Sequence, residues 1–533
     1  MIEGAATAVL ALIVGCGDNP AAIPIDGGDA GFECTGTAPV CDGLTVKACD
    51  HNLFGATMFD CTAEGACSEG RCLSPACAAV EHDRKSLAGC QFYTAQADNV
   101  ASDADAFTSF LITNPGSEPA TVSIEHFATG SWAFEVPLMT VAAGSTLRLP
   151  VHGLQVKEAG AHDGGLRLNS DHPVTVAQIE SDDVNRDAKS SGGTMLLPVH
   201  VLGTHYMAMT YPQQQTPELA ALADSPSGAG RILIVGTQAS TEVTVRLSDS
   251  ATGVEVGEPS LRGKGAEVKF ELDDGEVYQL WTGNSGDDLS GTEITTSLPV
   301  AVFSGNITTT YGLSKDNLHS PDMTHEQMPP VYAWSHKYVA ASLPPQAGTC
   351  DTLLGVGASL WRLMVWGTKP SRIDIMVPGK DVRTETLESG QVMDVTEVGD
   401  FVVTSSEPLL MTQGIDCEPS LSLAISADMF IDDLSFAVLP SFDQMAAIVR
   451  QNRVVVLFDG APIDDVNFKP AGGGFEVARL PIPTCPATAQ ACMHRLQGRF
   501  GVTMRGMDIV ASYALTAPAL DGCIDTSDPR CLQ

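Results

Sequence analysis

Two stretches of this chain repeat each other at a fixed distance. PVHVLGTHYMAMTYP (198–212) and PVYAWSHKYVAASLP (330–344) share Pro, Val, Tyr and a closing Pro at an offset of 132. ILIVGTQASTEVTVRL (232–247) and LMVWGTKPSRIDIMV (363–377) share a Gly-Thr at an offset of 131. Each reads as strand, tight turn, strand, and FLITNPGSEPATVSIE (110–125) is the same hairpin earlier, with Asn-Pro-Gly-Ser as its turn. A third element occurs three times: LNSDHPVTV (168–176), TTSLPVAVF (295–303) and TSSEPLLM (404–411). Each reads as strand, polar turn, Pro, strand, with Pro173, Pro299 and Pro408 opening the second strand because proline cannot donate to a central ladder. A weaker fourth copy runs from VLPSF (438–442) to GVTMRGMDIVASYAL (501–515). A repeat of this length is the unit of a tandem array. Its size suits one immunoglobulin-like sandwich, whereas a single propeller blade needs only about 40–50 residues. The expected fold is therefore all-β: tandem β-sandwich-like repeats, with a propeller-like closed array as the alternative.

The region before the repeats is built differently. Eight cysteines (Cys34, Cys41, Cys49, Cys61, Cys67, Cys72, Cys77 and Cys90) crowd into 34–90, where apolar side chains are few. A core is not available to such a segment, so a small disulfide-rich module is expected. Its connectivity stays open. Zinc is disfavoured because no CxxC knuckle occurs. Six more cysteines lie late, and the expected pairs are Cys350–Cys417, Cys485–Cys492 and Cys523–Cys531. The remaining one, Cys16, leaves an even number for bonding, as an exported chain requires.

Cys16 follows a ten-residue apolar run, Ala5 to Val14, of signal-peptide length and too short to span a bilayer. Ile13-Val14-Gly15-Cys16 resembles the bacterial lipobox, in which the cysteine is acylated and becomes the new N-terminus. The resemblance implies a signal peptide over 1–15 and a membrane-anchored lipoprotein, although Met1–Gly4 carries Glu3 and no basic residue. Residues 16–33, with Asp18, Asn19, Pro20 and IDGGDAG, read as a flexible acidic linker. No other run approaches the length of a membrane span.

Net charge is −36, from 29 basic and 65 acidic residues. Such a surface repels nucleic acid, which needs a basic footprint. The acidic runs SDADAF (102–107) and SDDVNRDA (181–188) could chelate calcium but lack EF-hand spacing, so no cofactor is expected and calcium is the one exception held open. THEQMPP (324–330) begins like the zinc-protease helix, yet its second ligand position is Pro329. His200 and His205 fall on opposite faces if they share a strand, and so do Trp361 and Trp366. One tryptophan is expected in the core and the other packed at an edge. GVGASL (355–360) lacks the third glycine of a dinucleotide loop, and GNSGDD (283–288) reads as a turn. No catalytic, cofactor or metal residue is assigned. A hydrolase assembled from loops without a motif is the alternative.

GCQFYTAQADN (89–99), LPVHVLGTHY (197–206), DLSGTEITTSLPVAVFSGN (288–306), EQMPPVYAWSHKYV (326–339) and FGVTMRGMDIVASYAL (500–515) together resemble the IgGFc-binding protein N-terminal domain family. The resemblance covers roughly 89–516. It implies a non-catalytic cell-surface or secreted binding module, here a lipid-anchored envelope protein at the outer membrane or cell surface. The implied partner is an extracellular protein or glycan, and the implied role is binding or adhesion. The expected organisation is 34–90 disulfide-rich, then β units at 91–195, 196–327, 328–437 and 438–533.

Overall fold

A computed structural model describes residues 40–42, 45–50, 53–60, 65–68, 71–81, 86–98, 107–180, 190–214, 228–257, 262–311, 321–343, 359–397, 399–415, 419–440, 442–486, 489–507 and 512–517. The chain divides into two compact units, 1–73 and 74–533. In the first, the strands Val40–Asp42, Thr45–Asp50 and Leu53–Asp60 form an antiparallel sheet, and Ala66–Ser68 pairs with Arg71–Leu73. Cys72 is disulfide-bonded.

The second compact unit opens with Ser74, whose hydroxyl accepts from Cys77 N at 3.2 Å and caps the short helix Pro75–Glu81. Cys77 is bonded to Cys90, at the start of the strand Gly89–Ala97. The expected boundary at 90 therefore moves: the compact cysteine-rich part ends at Leu73, and Cys77 and Cys90 staple the first β repeat. Cys485 is bonded to Cys492. Cys16, Cys350, Cys417, Cys523 and Cys531 lie outside the described residues, as do the acidic stretches 101–106 and 181–188.

The described residues between 86 and 517 fold as four β repeats, I to IV, each a curled, mainly antiparallel sheet of eight or nine strands. One long strand organises each: Gly165–Glu180, Glu293–Thr309, Phe401–Ile415 and Cys492–Met507. Its first half pairs with one set of strands and its second half with another. In repeat I, Gly165–Asn169 pairs with Gly89–Ala97 and Ala120–Ala128, whereas Thr175–Glu180 pairs with Phe107–Asn114. Repeat II makes the same exchange between Gly203–Met207 with Thr241–Arg246 and then Gly230–Gly236. Repeat III exchanges Ser335–Ala340 with Ser371–Met376 for Leu360–Val365. Repeat IV exchanges Ile431–Val438 for Asp443–Gln451. One continuous strand thus serves two half-sheets, as at the corners of sandwiches.

This corrects the reading of the proline elements. Pro173, Pro299 and Pro408 do not open second strands; each lies inside one unbroken strand, where the ladder shifts register and no N–H is needed. The hydroxyl three residues earlier fixes the bend. Ser170 donates to His172 O at 2.6 Å, Thr296 to Leu298 O at 2.7 Å and Ser405 to Glu407 O at 2.5 Å. Repeat IV has no proline there and uses Gly498 at φ +106°.

Other recurring residues mark the entry to each repeat. Pro198 and Pro330 precede the single 3-10 turns Val199–Val201 and Val331–Ala333. Past each turn a tyrosine hydroxyl accepts the first strand amide: Gly203 N to Tyr206 at 2.7 Å, and Ser335 N to Tyr338 at 3.3 Å. A second expected boundary shifts, and the first is seen again in the strands. Ile431–Val438 pairs with the long strand of repeat IV, so that repeat begins before 438, and Gly89–Ala97 runs across the 90/91 boundary into repeat I.

The four repeats close on themselves. The strand after each long strand (Gly192–Met195, Asp322–Gln327, Ser420–Leu423 and Ser512–Thr516) pairs with its second half and lies beside its counterparts in at least two other repeats, the fourth against the first. The hydrophobic cores follow suit. One combines Phe92, Ile112 and Val176 of repeat I with Ile448, Val502 and Leu515 of repeat IV. Another combines Val339 and Val402 of repeat III with Ala447 and Val477 of repeat IV. Sandwich-sized units are thus arranged in a closed, propeller-like array.

Candidate functional site

One of the short strands at the centre carries three buried ionisable residues. Asp322–Gln327 reads DMTHEQ, and every one of its residues is buried. Asp322 and Glu326 lie four apart and so point to the same side, while His325 points to the other.

Asp322 joins three repeats. Its carboxylate accepts from Ser191 N of repeat I and, at 3.0 Å, from Ser512 N of repeat IV. Glu326 accepts from Thr194 Oγ1 of repeat I at 2.8 Å and from the Leu423 amide of repeat III. Gln327 N donates to Thr194 Oγ1 at 2.9 Å, and Leu197 N to Gln327 Oε1 at 2.7 Å. Burial raises both carboxyls well above the usual range, against the hydrogen bonds that favour their charged forms.

His325 stacks flat on Phe303 with ring centroids 5.0 Å apart. Burial, assisted by the charge on Arg231, pushes its pKa well down, so the ring is neutral. Nearby, Glu180 accepts from Gln178 Nε2 at 2.6 Å, from Thr108 Oγ1 and from Ala97 N, and burial pushes it up to about 7. Arg231, lowered to about 10 by burial, donates to Asp98 O at 2.6 Å and so ties repeat II to repeat I.

Comparable rivets occupy the other junctions. Arg362 of repeat III contacts Asp288 of repeat II at 2.9 Å and Asp394 at 2.7 Å, and also donates to Thr210 O. Arg479 of repeat IV contacts Asp400 and donates to Ser342 O at 2.7 Å. Thr175 of repeat I donates to Ser435 O of repeat IV at 3.1 Å. The cavities between repeats are small. One beside Pro329, Leu423 and Gly501 holds about 20 Å³, room for a single water. Among the described residues no three His, Cys, Asp or Glu side chains converge on a metal position.

The sequence-marked residues are dispersed. His325 and Glu326 stand on a buried strand, not a helix, and Pro329 supplies a carbonyl 3.3 Å from Trp334 Nε1. His200 and His205 do not share a strand. His200 is in the 3-10 turn Val199–Val201, because Pro198 halts the extended chain, and only His205 is on Gly203–Met207. His205 bonds Glu293 at 2.9 Å and packs edge-on against Trp366 of repeat III, centroids 5.1 Å apart. Trp361 is buried in the core of repeat III. The turn GNSGDD is closed by Asp287, which accepts from Thr252 N, Thr252 Oγ1 and Gly253 N at 3.0, 2.6 and 2.9 Å. Sequence reasoning missed Glu180, Arg231, Asp322 and Arg362. For Glu180, Arg231 and Arg362 the only signal is a charge in an apolar stretch of strand; Asp322, in the polar strand DMTHEQ, has not even that.

The outer surface differs in kind. Of six large apolar side chains exposed among the described residues, three (Phe134, Leu138 and Met139) sit on the strand Ser131–Val141.

A family model described as IgGFc binding protein matches residues 192–506. The human protein named IgGFc-binding protein is 26% identical over 250 residues, which are 45% of this chain but 4% of that relative's length. A solved structure, a tetra-tandem repeat in the extending region of a large adhesion protein, aligns at 11% identity over 81% of this chain and 99% of its own. Its TM-score of 0.09 is too low to bear on the fold.

Proposed function

The chain belongs to the IgGFc binding protein family, and on that premise we propose that it is a non-catalytic binding or adhesion protein of the cell exterior. One observation carries the non-catalytic part. The groups on the central strand able to do acid–base chemistry are fully buried: Asp322 and Glu326 hold repeats together and His325 is stacked on Phe303, and among the described residues the cavity nearest this strand's end has room for only about one water. Membership of the family supports the binding role and an extracellular protein as its target, and a glycan is the other target in this reading. Fc itself belongs to the relative's name, and the short span shared with that relative makes it one candidate among several.

Anchoring through an acylated Cys16 is part of this reading, supported by the lipobox-like Ile13–Cys16. No helix among the described residues is long and apolar enough to cross a membrane. Two acyl chains or more would suffice for stable attachment.

The experiment is an array of extracellular proteins, IgG Fc included, and of glycans, probed with the purified chain. Saturable capture is expected, together with no turnover of generic protease, esterase, phosphatase and glycosidase substrates. Turnover lost on a single-residue change would overturn the reading. For the anchor, labelled palmitate should enter the native chain and not Cys16→Ala.

A further inference from the structure

The strand Ser131–Val141, SWAFEVPLMTV, is apolar enough to be a core strand, yet most of it is exposed. It pairs only with Ala120–Ala128, and among the described residues its other edge carries no ladder. Phe134 is 62% exposed, Leu138 67% and Met139 39%. An apolar open edge of this kind is a template for another strand.

The edge is held rigid from one end. Trp132 Nε1 donates to Asp274 of repeat II at 2.9 Å, and the Arg167 guanidinium lies 4.2 Å above the indole. Arg167 is itself bonded to Glu125 at 2.8 Å and Asp274 at 3.2 Å. Strand pairing needs such a preformed edge, since ordering a loose one subtracts from affinity. Beyond Glu135 the ladder to Ala120–Ala128 shifts register, and Pro137 has no N–H. Uncontrolled end-to-end growth along the edge is thereby blocked.

Charge decides what can dock. From Ser86 to Leu147 the chain has no Lys or Arg, while Glu118, Glu125 and Glu135 flank or lie on these two strands. Asp163 accepts from Gly130 N at 3.4 Å at one end of the hairpin, and Asp171 accepts from Thr121 N at 2.7 Å at the other. The nearby cation Arg167 is already engaged. A second copy would bring another net charge of −36 to the same place. We propose that the open edge of Ser131–Val141 captures an extended, basic, partly apolar segment of another protein by strand addition, with Phe134 and Leu138 as its apolar contacts. This rests on the reading of the chain as a binder and names its surface and the chemistry of its partner.

The test uses the full chain and a fluorescent peptide of alternating Val and Lys, read by anisotropy at physiological salt. Controls are the Val/Glu peptide and a Val/Lys peptide with N-methylated amides. The variant is Phe134→Ala/Leu138→Ala, whose exposed positions leave thermal unfolding unchanged. The Val/Lys peptide should bind, weaken about tenfold on the variant and lose binding on N-methylation. It should also slow amide exchange within 131–141. Equal binding to the variant, or of the Val/Glu peptide, overturns the proposal. So does a dimer in sedimentation that Leu138→Lys dissociates, since the occupant is then a second copy. The array separates the two readings: a protein captured equally by native chain and variant leaves the binder standing and removes this surface.

Discussion

Gly203 and Pro330 touch so closely that a methyl group on the glycine would lie 2.4 Å from the proline Cβ. Gly89 stands in the same relation to Pro198, at 2.3 Å. Each glycine begins the first strand of its repeat, and each proline belongs to the repeat that follows. Adjacent repeats therefore lock by backbone against ring. Gly203→Ala should destabilise the chain by about 1–3 kcal/mol through overpacking, and Gly89→Ala by a similar amount. Chemical denaturation of the two variants checks this; native-like stability in either would mean the junction yields.

The Arg362 junction separates buried from exposed charge. Asp288→Ala leaves a buried guanidinium without its main partner and should cost about 3–5 kcal/mol. Asp394, nearly half exposed, should cost no more than about 1 kcal/mol when changed to Ala. Equal losses would place the energy of the junction elsewhere.

Glu180 gives stability an unusual pH slope. Its folded pKa, about 7, lies above its ordinary 4.5. Between these values the native chain keeps a proton that the unfolded chain has released, so stability is fully present below 4.5 and falls as pH rises through 7. The loss is at most about 3 kcal/mol. Glu180→Gln should flatten this decline, measured as the difference in unfolding free energy between pH 5 and pH 8.

His325 acts with the opposite sign. Its folded pKa lies well below 6.5, so its contribution is present above that value and lost as pH falls, when the unfolded chain takes up a proton that the native chain refuses. His325→Phe, which keeps a ring against Phe303, should reduce the acid loss between about pH 6 and pH 4. An unchanged acid limb would show that the imidazole is protonated in the native state.

The repeat pattern made the four units legible because Pro198, Pro330, Tyr206 and Tyr338 are each demanded by the same entry geometry. Pro173, Pro299 and Pro408 were equally visible but misread, since a bulge within one strand and a turn between two use the same residues. Closure of the array left no such trace. Its strands read GGTM, DMTHEQ, SLSL and SYALT, with no residue common to all four, because most of their side chains answer to different neighbours. Spacing marked Glu326 only as part of a broken zinc-protease pattern and did not announce Asp322 at all. A carboxyl in a short strand looks solvent-facing until two other repeats are brought against it. The equivalence of His200 to Tyr332, both against the preceding repeat's glycine, shows why a marked histidine need not be chemical.

Closure also sets when the molecule can be finished. The amide of Ser512 and the side chain of Tyr513 complete contacts to Asp322 and Gly193, far earlier in the chain. A ribosome delivers the N-terminal end first, so repeat I waits with one flank open until repeat IV has emerged. A nascent chain arrested before residue 512 would carry a buried carboxylate lacking one donor and an uncovered apolar seam, making it a client for chaperones and proteases.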